Sequence, residues 1–232
     1  MMPPPEIEVI QGVSVVREDR LTGGTKTRYI GRLFDTAEEI VYATPAEGGA
    51  QLALAATARR EGKRATLFVA KRGKPHKRTL QARELGAKVY QVPYGYMSVV
   101  TSRARKYCAD SGAYHAPFGM AVPGAEDAIA AAARATDAKP AEVWCAAGSG
   151  TLARGLARAW PNASLNVVQV GRELTRDEVA GATVWKYPRP FGKVSRTVPP
   201  FPSDRHYDAK AWEMMLARSA SDNALFWNVL GW

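Results

Sequence analysis

The chain is poor in the residues that build disulfide scaffolds and metal centres. Two cysteines, Cys108 and Cys145, and three histidines, His76, His115 and His206, are all that its 232 residues contain. Two such cysteines have neither metal-ligand spacing nor the density of a disulfide framework, so the expected setting is a reducing cytoplasm. The histidines are scattered and read as surface or loop residues rather than ligands or bases. No apolar run approaches the roughly 20 residues of a membrane span, and Met1-Met2-Pro3-Pro4-Pro5 lacks a signal peptide's basic and apolar regions. No membrane association is expected. Nucleotide signatures are missing too. The glycine-rich turn at Gly148-x-Gly150-x4-Gly155 is not followed by Gly-Lys-Ser/Thr, and its spacing misses G-x-G-x-x-G.

What is present is an ordinary globular composition, 46% hydrophobic and 23% charged, on a chain long enough for one large domain or two smaller lobes. Acids are scarce relative to bases, and the net charge is +10. The excess is local: from Arg59 to Lys88, eleven Lys or Arg face only Glu61 and Glu84. A polyanion such as nucleic acid is one partner for such a stretch. A solvated basic face that aids solubility and draws in anionic ligands is the other reading.

Strand and helix signals alternate along the chain. Strands are expected at 13–19, 39–43, 65–70, 88–92, 142–146, 165–170 and 224–229, with helices at 50–61, 77–85, 97–111, 125–136 and 152–160 and a last one opening near His206. Strand, helix, strand at this spacing predicts an α/β fold with parallel sheets. Two stretches carry chemistry. The first is Gly23-Gly24-Thr25-Lys26-Thr27-Arg28, in which Lys26 is expected at the mouth of a helix bearing Tyr29, Ile30, Leu33 and Phe34. The positive end of a helix disfavours an ammonium, which would make Lys26 a nucleophilic amine able to capture an aldehyde. An ordinary solvated lysine is the alternative. The second is Gly148-Ser149-Gly150-Thr151, between a strand and a helix, where bare backbone N–H groups and two hydroxyls are expected to form a cup for one phosphate monoester, a tight turn without ligand being the alternative.

In this order the two features resemble the fold type II pyridoxal phosphate enzymes of the tryptophan synthase β-like superfamily, most of all its aminocyclopropane-carboxylate deaminase and D-cysteine desulfhydrase branch. The similarity extends through Gly48-Gly49-Ala50-Gln51, Leu85-Gly86-Ala87-Lys88-Val89 and Tyr207-Asp208-Ala209-Lys210. It implies a two-lobed parallel-sheet sandwich, shortened, with residues 1–36 and 126–232 forming the cofactor-binding lobe and 37–125 a smaller basic one. It implies pyridoxal 5'-phosphate held by Lys26 as a Schiff base and by Gly148, Ser149, Gly150 and Thr151 at its phosphate. Lys26 would also move the substrate's α-proton, and Tyr207 would face the substrate and serve in proton transfer. Gly49 stands where the family places an asparagine on the cofactor's ring hydroxyl. Val229, with Asn228 adjacent, stands where it places a serine or threonine on the pyridine nitrogen. The implied activity is elimination, deamination or β-replacement on a small amino-acid-like substrate, in a homodimer. Two other readings stand beside it: the same fold directed at nucleic acid through Arg59–Lys88, or a pseudoenzyme without cofactor.

Overall fold

The computed structural model describes residues 2–93 and 95–231. The first strands are β1 (Ile7–Ile10) and β2 (Val13–Arg17), joined through Gln11 and Gly12, both at positive φ (53° and 79°) as a two-residue hairpin turn requires. Short 3-10 turns follow at Glu18–Arg20, Thr25–Arg28 and Ile30–Asp35. Next come β3 (Glu39–Ala43), α1 (Ala50–Glu61), β4 (Arg64–Ala70), α2 (Lys77–Glu84), β5 (Lys88–Val92), α3 (Met97–Ser111) and β6 (Tyr114–His115). The rest comprises α4 (Ala125–Arg134), β7 (Glu142–Ala147), α5 (Thr151–Ala159), β8 (Ser164–Gln169), α6 (Arg176–Val179), β9 (Thr183–Lys186), α7 (Asp208–Arg218) and β10 (Ala224–Asn228). The fold is the expected α/β fold with parallel-rich sheets.

The chain divides into two compact units, Met1–Thr25 with Pro123–Trp232, and Lys26–Val122. The division drawn from sequence, 1–36 and 126–232 against 37–125, differs at both joints. The reason at the first joint is packing: the turn at Ile30–Asp35 lies on α1, where Gly31 faces Thr57 and Arg60.

In the unit Lys26–Val122 the described strands form a parallel sheet in the order β5-β4-β3-β6. Val41, Phe68 and Val92 from three neighbouring strands meet Val100 and Ala104 of α3 in one core. Helix α1 is built largely of alanine, buries Ala53, Leu54 and Ala58, and ends on Gly62 at φ 64°, the left-handed cap that glycine adopts without strain.

In the other unit the order is β1-β2-β10-β7-β8-β9, with β1 antiparallel and the remaining neighbours parallel. The last strand thus lies between β2 and β7. Aromatic side chains fill the core: Trp144, Phe226, Phe201 and Trp212 are each at most 5% exposed, and Trp212 meets Phe226 edge to face at 5.2 Å. Helix α7 supplies Trp212 and Met215 to this layer, while α4 and α5 pack on each other so closely that Gly155 has no room for a side chain beside Ile129. Among the described residues no helix is long and apolar enough to cross a membrane, and no cluster of His, Cys, Asp and Glu could hold a metal ion.

Candidate active site

The glycine cup forms where β7 ends at Ala147 and α5 begins at Thr151. Gly150 caps the helix in the left-handed region at φ 75°, and a side chain there would drive into the backbone carbonyl of Glu178. Gly148 is constrained differently, because an added Cβ would stand 2.9 Å from the Tyr207 hydroxyl. Gly150 is therefore demanded by backbone on both counts, whereas Gly148 meets only the end of a side chain. The N-terminus of α5 has no side-chain cap and no acidic residue in its first turn. Ser149 Oγ lies 3.3 Å from the buried Thr151 Oγ1, so two hydroxyls converge on the same uncapped turn. Nearby, Arg154 reaches the Ser149 carbonyl at 3.5 Å while its Nε holds Glu126. Open N–H groups, two hydroxyls and the absence of a competing carboxylate are the donor set that a phosphate monoester requires.

The wall at Gly150 is itself fastened. Thr175 and Glu178 form a capping box at the start of α6, with Thr175 N donating to Glu178 Oε2 at 2.9 Å. Arg172 pairs with the same carboxylate. That guanidinium, helped by the Thr175 backbone N–H, pulls the Glu178 carboxyl down to a pKa of about 2.

Tyr207 occupies the N-cap position of α7, so its hydroxyl over Gly148 is aimed by the first turn of a rigid helix. That turn makes three further attachments. His206 Nδ1 lies 3.1 Å from the Phe191 carbonyl, Asp208 Oδ2 accepts the Leu230 N–H at 3.2 Å, and Lys210 Nζ donates to the carbonyls of Pro190 and Phe191 at 3.1 and 3.2 Å. Lys210 is fully buried, with its ammonium 5.1 Å from the Tyr187 ring centre. Burial lowers its pKa, opposed by nearby Asp204. In the sequence Lys210 stands out only as part of Tyr207-Asp208-Ala209-Lys210. Its buried position depends on the fold of the Tyr187–Phe191 segment, which leaves no local signal.

Lys26 belongs to the other unit, where it is half-buried and its carbonyl accepts the Tyr29 N–H at 3.2 Å. The helix expected to begin here is not formed. Residues 25–28 make a single 3-10 turn, broken at Tyr29 (φ −129°) before the next begins. The side chains of Tyr29, Ile30 and Phe34 are buried as their spacing required, but through 3-10 turns. A turn this short has no appreciable macrodipole, so the helix-end field expected to activate Lys26 is absent. The preceding residues are anchored in their own unit: Thr25 Oγ1 accepts the Trp227 Nε1–H at 2.9 Å, and Gly24 at φ 71° lies against the Val229 carbonyl, where no side chain fits.

Gly49 caps α1 at φ −69°, a conformation open to any residue. The sterically required glycine of this loop is Gly48, which abuts the Thr44 side chain. Beneath it the fully buried Gln51 donates to the Ala46 and Gly48 carbonyls at 2.7 and 3.0 Å and accepts from Thr79 at 3.2 Å. Asn228, adjacent to the position matched to the pyridine contact, is also fully buried. Its amide donates to Asp19 and to the Pro202 carbonyl and accepts from Ser203, each at 2.8 Å, so its polar atoms are committed to fastening the end of β10.

The basic stretch is less free than its composition. Lys63, Arg64 and Arg72 pair with Glu38, Glu39 and Glu47, and Arg78 turns inward to the Glu47 carbonyl at 2.5 Å.

A family model described as pyridoxal-phosphate dependent enzyme matches residues 11–190, a span that includes Lys26 and the glycine cup but not Tyr207 or Val229. Among solved structures, an ACC deaminase homologue superposes with a TM-score of 0.84 at 16% identity, over 98% of this chain and 89% of that one. Escherichia coli diaminopropionate ammonia lyase in apo form follows at 0.71 and 16%, over 99% and 83%. The processed form of threonine deaminase isoform 2 from Solanum lycopersicum gives 0.71 and 13%, over 98% and 79%. At such identities the likeness is one of fold. Comparison with curated proteins gives no match.

Proposed function

The chain belongs to the pyridoxal-phosphate dependent enzyme family, and from that premise we propose that it binds pyridoxal 5'-phosphate and acts on a small amino-acid-like amine by elimination, deamination or β-replacement. The observation that carries the proposal is the cup, whose uncapped helix start, hydroxyl pair and two glycines, Gly150 of them sterically enforced, suit a phosphate monoester. Gly148, Ser149, Gly150 and Thr151 bind that phosphate. Lys26 Nζ holds the aldehyde carbon covalently and, once released by the incoming amine, takes the substrate's α-proton. When bound, the cofactor supplies an electron sink for the pair left behind by the broken bond. Tyr207 Oη, lying over Gly148, exchanges a proton with the substrate. Gly49 leaves backbone rather than an amide side chain at the start of α1, and Asn228 is spent on Asp19, Ser203 and Pro202, so neither supplies a side-chain contact to the cofactor ring.

The likeness in fold to deaminases, an ammonia lyase and an O-ureido-L-serine synthase supports this group of reactions. The test is the visible absorbance of the protein with added pyridoxal phosphate, followed by borohydride reduction and peptide mass mapping. A reduced adduct on Lys26, absent in Lys26→Ala, is the expected result. Protein that gains no absorbance and no adduct removes the proposal and leaves a fold without its cofactor.

A further inference from the structure

A second cavity lies one strand away from the cup. Register pairs Ala147, the last residue of β7, with Gln169 of β8, and Gln169 with Lys186 of β9. The carboxyl ends of these parallel strands stand about 4.8 Å apart, and ligands of open parallel sheets bind beyond such ends. At the ends of β8 and β9 is a cavity of about 330 Å³ bounded by Gln169 to Gly171 and by Lys186 to Phe191. That volume suits a small organic molecule.

The lining has a definite chemistry. Val170, Tyr187, Pro188, Pro190 and Phe191 provide apolar surface, and no carboxylate contributes. The polar groups are donors. Gln169, a lining residue, uses its side-chain carbonyl on the Leu174 N–H at 3.0 Å, so what its side chain still has to offer a ligand is the amide N–H donors. Arg189 spends NH1 on the Val194 carbonyl at 2.9 Å and keeps the rest of its guanidinium. Lys186 is exposed and, among the described residues, has no carboxylate partner. The far wall is rigid, since Lys210 and His206 hold the carbonyls of Pro190 and Phe191 from behind. A preformed apolar slot with one amide and two cations at its rim selects an anion with a flat or apolar body.

We propose that this cavity binds a small organic carboxylate, its apolar part against Tyr187 and Phe191 and its carboxylate toward Gln169, Lys186 and Arg189. The site is formed within one unit and is independent of the cofactor assignment. Calorimetric titration of the Lys26→Ala protein without cofactor tests it, with benzoate and 3-phenylpropionate as probes and benzylamine as the cationic control. Saturable binding of the carboxylates is expected, with Kd raised about tenfold by Lys186→Met or Arg189→Met, the loss of one charge-assisted hydrogen bond. Lys193→Met removes the same charge outside the lining and leaves Kd unchanged. Carboxylates that do not saturate, benzylamine binding as tightly as benzoate, or Lys193→Met weakening binding as much as Lys186→Met would each overturn the assignment. Because no variant involves the cup, failure here leaves the Lys26 adduct experiment unaffected, and the reverse holds.

Discussion

Two glycines two residues apart should respond oppositely to the same added methyl group. Gly150→Ala forces an L side chain to φ 75°, which costs roughly 1–2 kcal/mol. It also presses a Cβ into the Glu178 carbonyl, a backbone atom whose segment is fixed by the Thr175–Glu178 capping box and the Arg172 pair. Overpacking against a wall that cannot yield adds about 1–3 kcal/mol. The sum, about 2–5 kcal/mol, corresponds to roughly 4–20 °C in melting temperature for a chain of this size. At Gly148 the backbone is outside the left-handed region, and the clash is with the tip of a tyrosine that can swing aside. Gly148→Ala should therefore stay within about 1 kcal/mol of the parent, since the entropy removed from the unfolded chain offsets part of the strain. Its effect should fall on Tyr207, whose hydroxyl must leave the cup. Urea and thermal unfolding of both variants measure the stability difference, and affinity for pyridoxal phosphate reports on the cup. Equal stabilities for the two variants would falsify the argument that Gly150 is fixed by backbone and Gly148 by a side chain.

Arg172→Ala should return the Glu178 carboxyl from about 2 toward its ordinary range, read by NMR titration; an unmoved midpoint would show that the Thr175 N–H alone sets it. Because the folded value is the depressed one, the contribution of this carboxylate is present above the ordinary value of 4.5 and fades as pH falls toward about 2. Lys210→Ala takes the ammonium donor from the Pro190 carbonyl, leaves the Phe191 carbonyl with His206 alone and opens a void beneath Tyr187, and should destabilise the protein by about 3 kcal/mol in urea titrations. A loss under 1 kcal/mol would mean that water replaces the ammonium. Of the basic stretch, Arg59, Lys71 and Lys74 are exposed and unpaired among the described residues. If it binds DNA, retention should weaken steeply with salt and be lost on reversing those three charges, with reversal of Lys63, held by Glu38, mattering less. Retention that ignores all four leaves a solvated face.

Where local chemistry decides the structure, the sequence was readable. The strand at Glu39–Ala43 and the helix Ala50–Glu61 with its Gly62 cap follow from β-branched content and from a helix former run stopped by glycine, and both occur as read. The glycine cup was legible for the same reason, since a strand ending in Gly-Ser-Gly-Thr before a helix has few ways to turn. Three strands went unread, β6 among them because it is only two residues held against β3. β1 is an edge of four residues, and β9 is a short edge of mixed polarity, and each becomes a strand only by pairing with a neighbour. The segment after Lys26 misled because Tyr29, Ile30 and Phe34 are buried at spacings that 3-10 turns also satisfy once tertiary packing holds them. The attachments of Lys210 and Asn228 were invisible because their partners lie far along the chain, Asp19 and Asn228 being joined at the ends of the neighbouring strands β2 and β10 although 209 residues separate them in sequence.

The position of β10 between β2 and β7 imposes an order of events on synthesis. The unit Lys26–Val122 is one unbroken length of chain and is complete in contacts as soon as it leaves the ribosome. The other unit must keep its opening hairpin waiting through translation of everything that follows, because β2 meets no parallel neighbour until Ala224–Asn228 emerges. During that interval β2 offers an unpaired edge rich in valine, the kind of surface that seeds aggregation and that chaperones shield. Cutting the chain just before Ala224 would make this transient state permanent, and a circular permutant that joins β10 to β1 and opens elsewhere would abolish the wait.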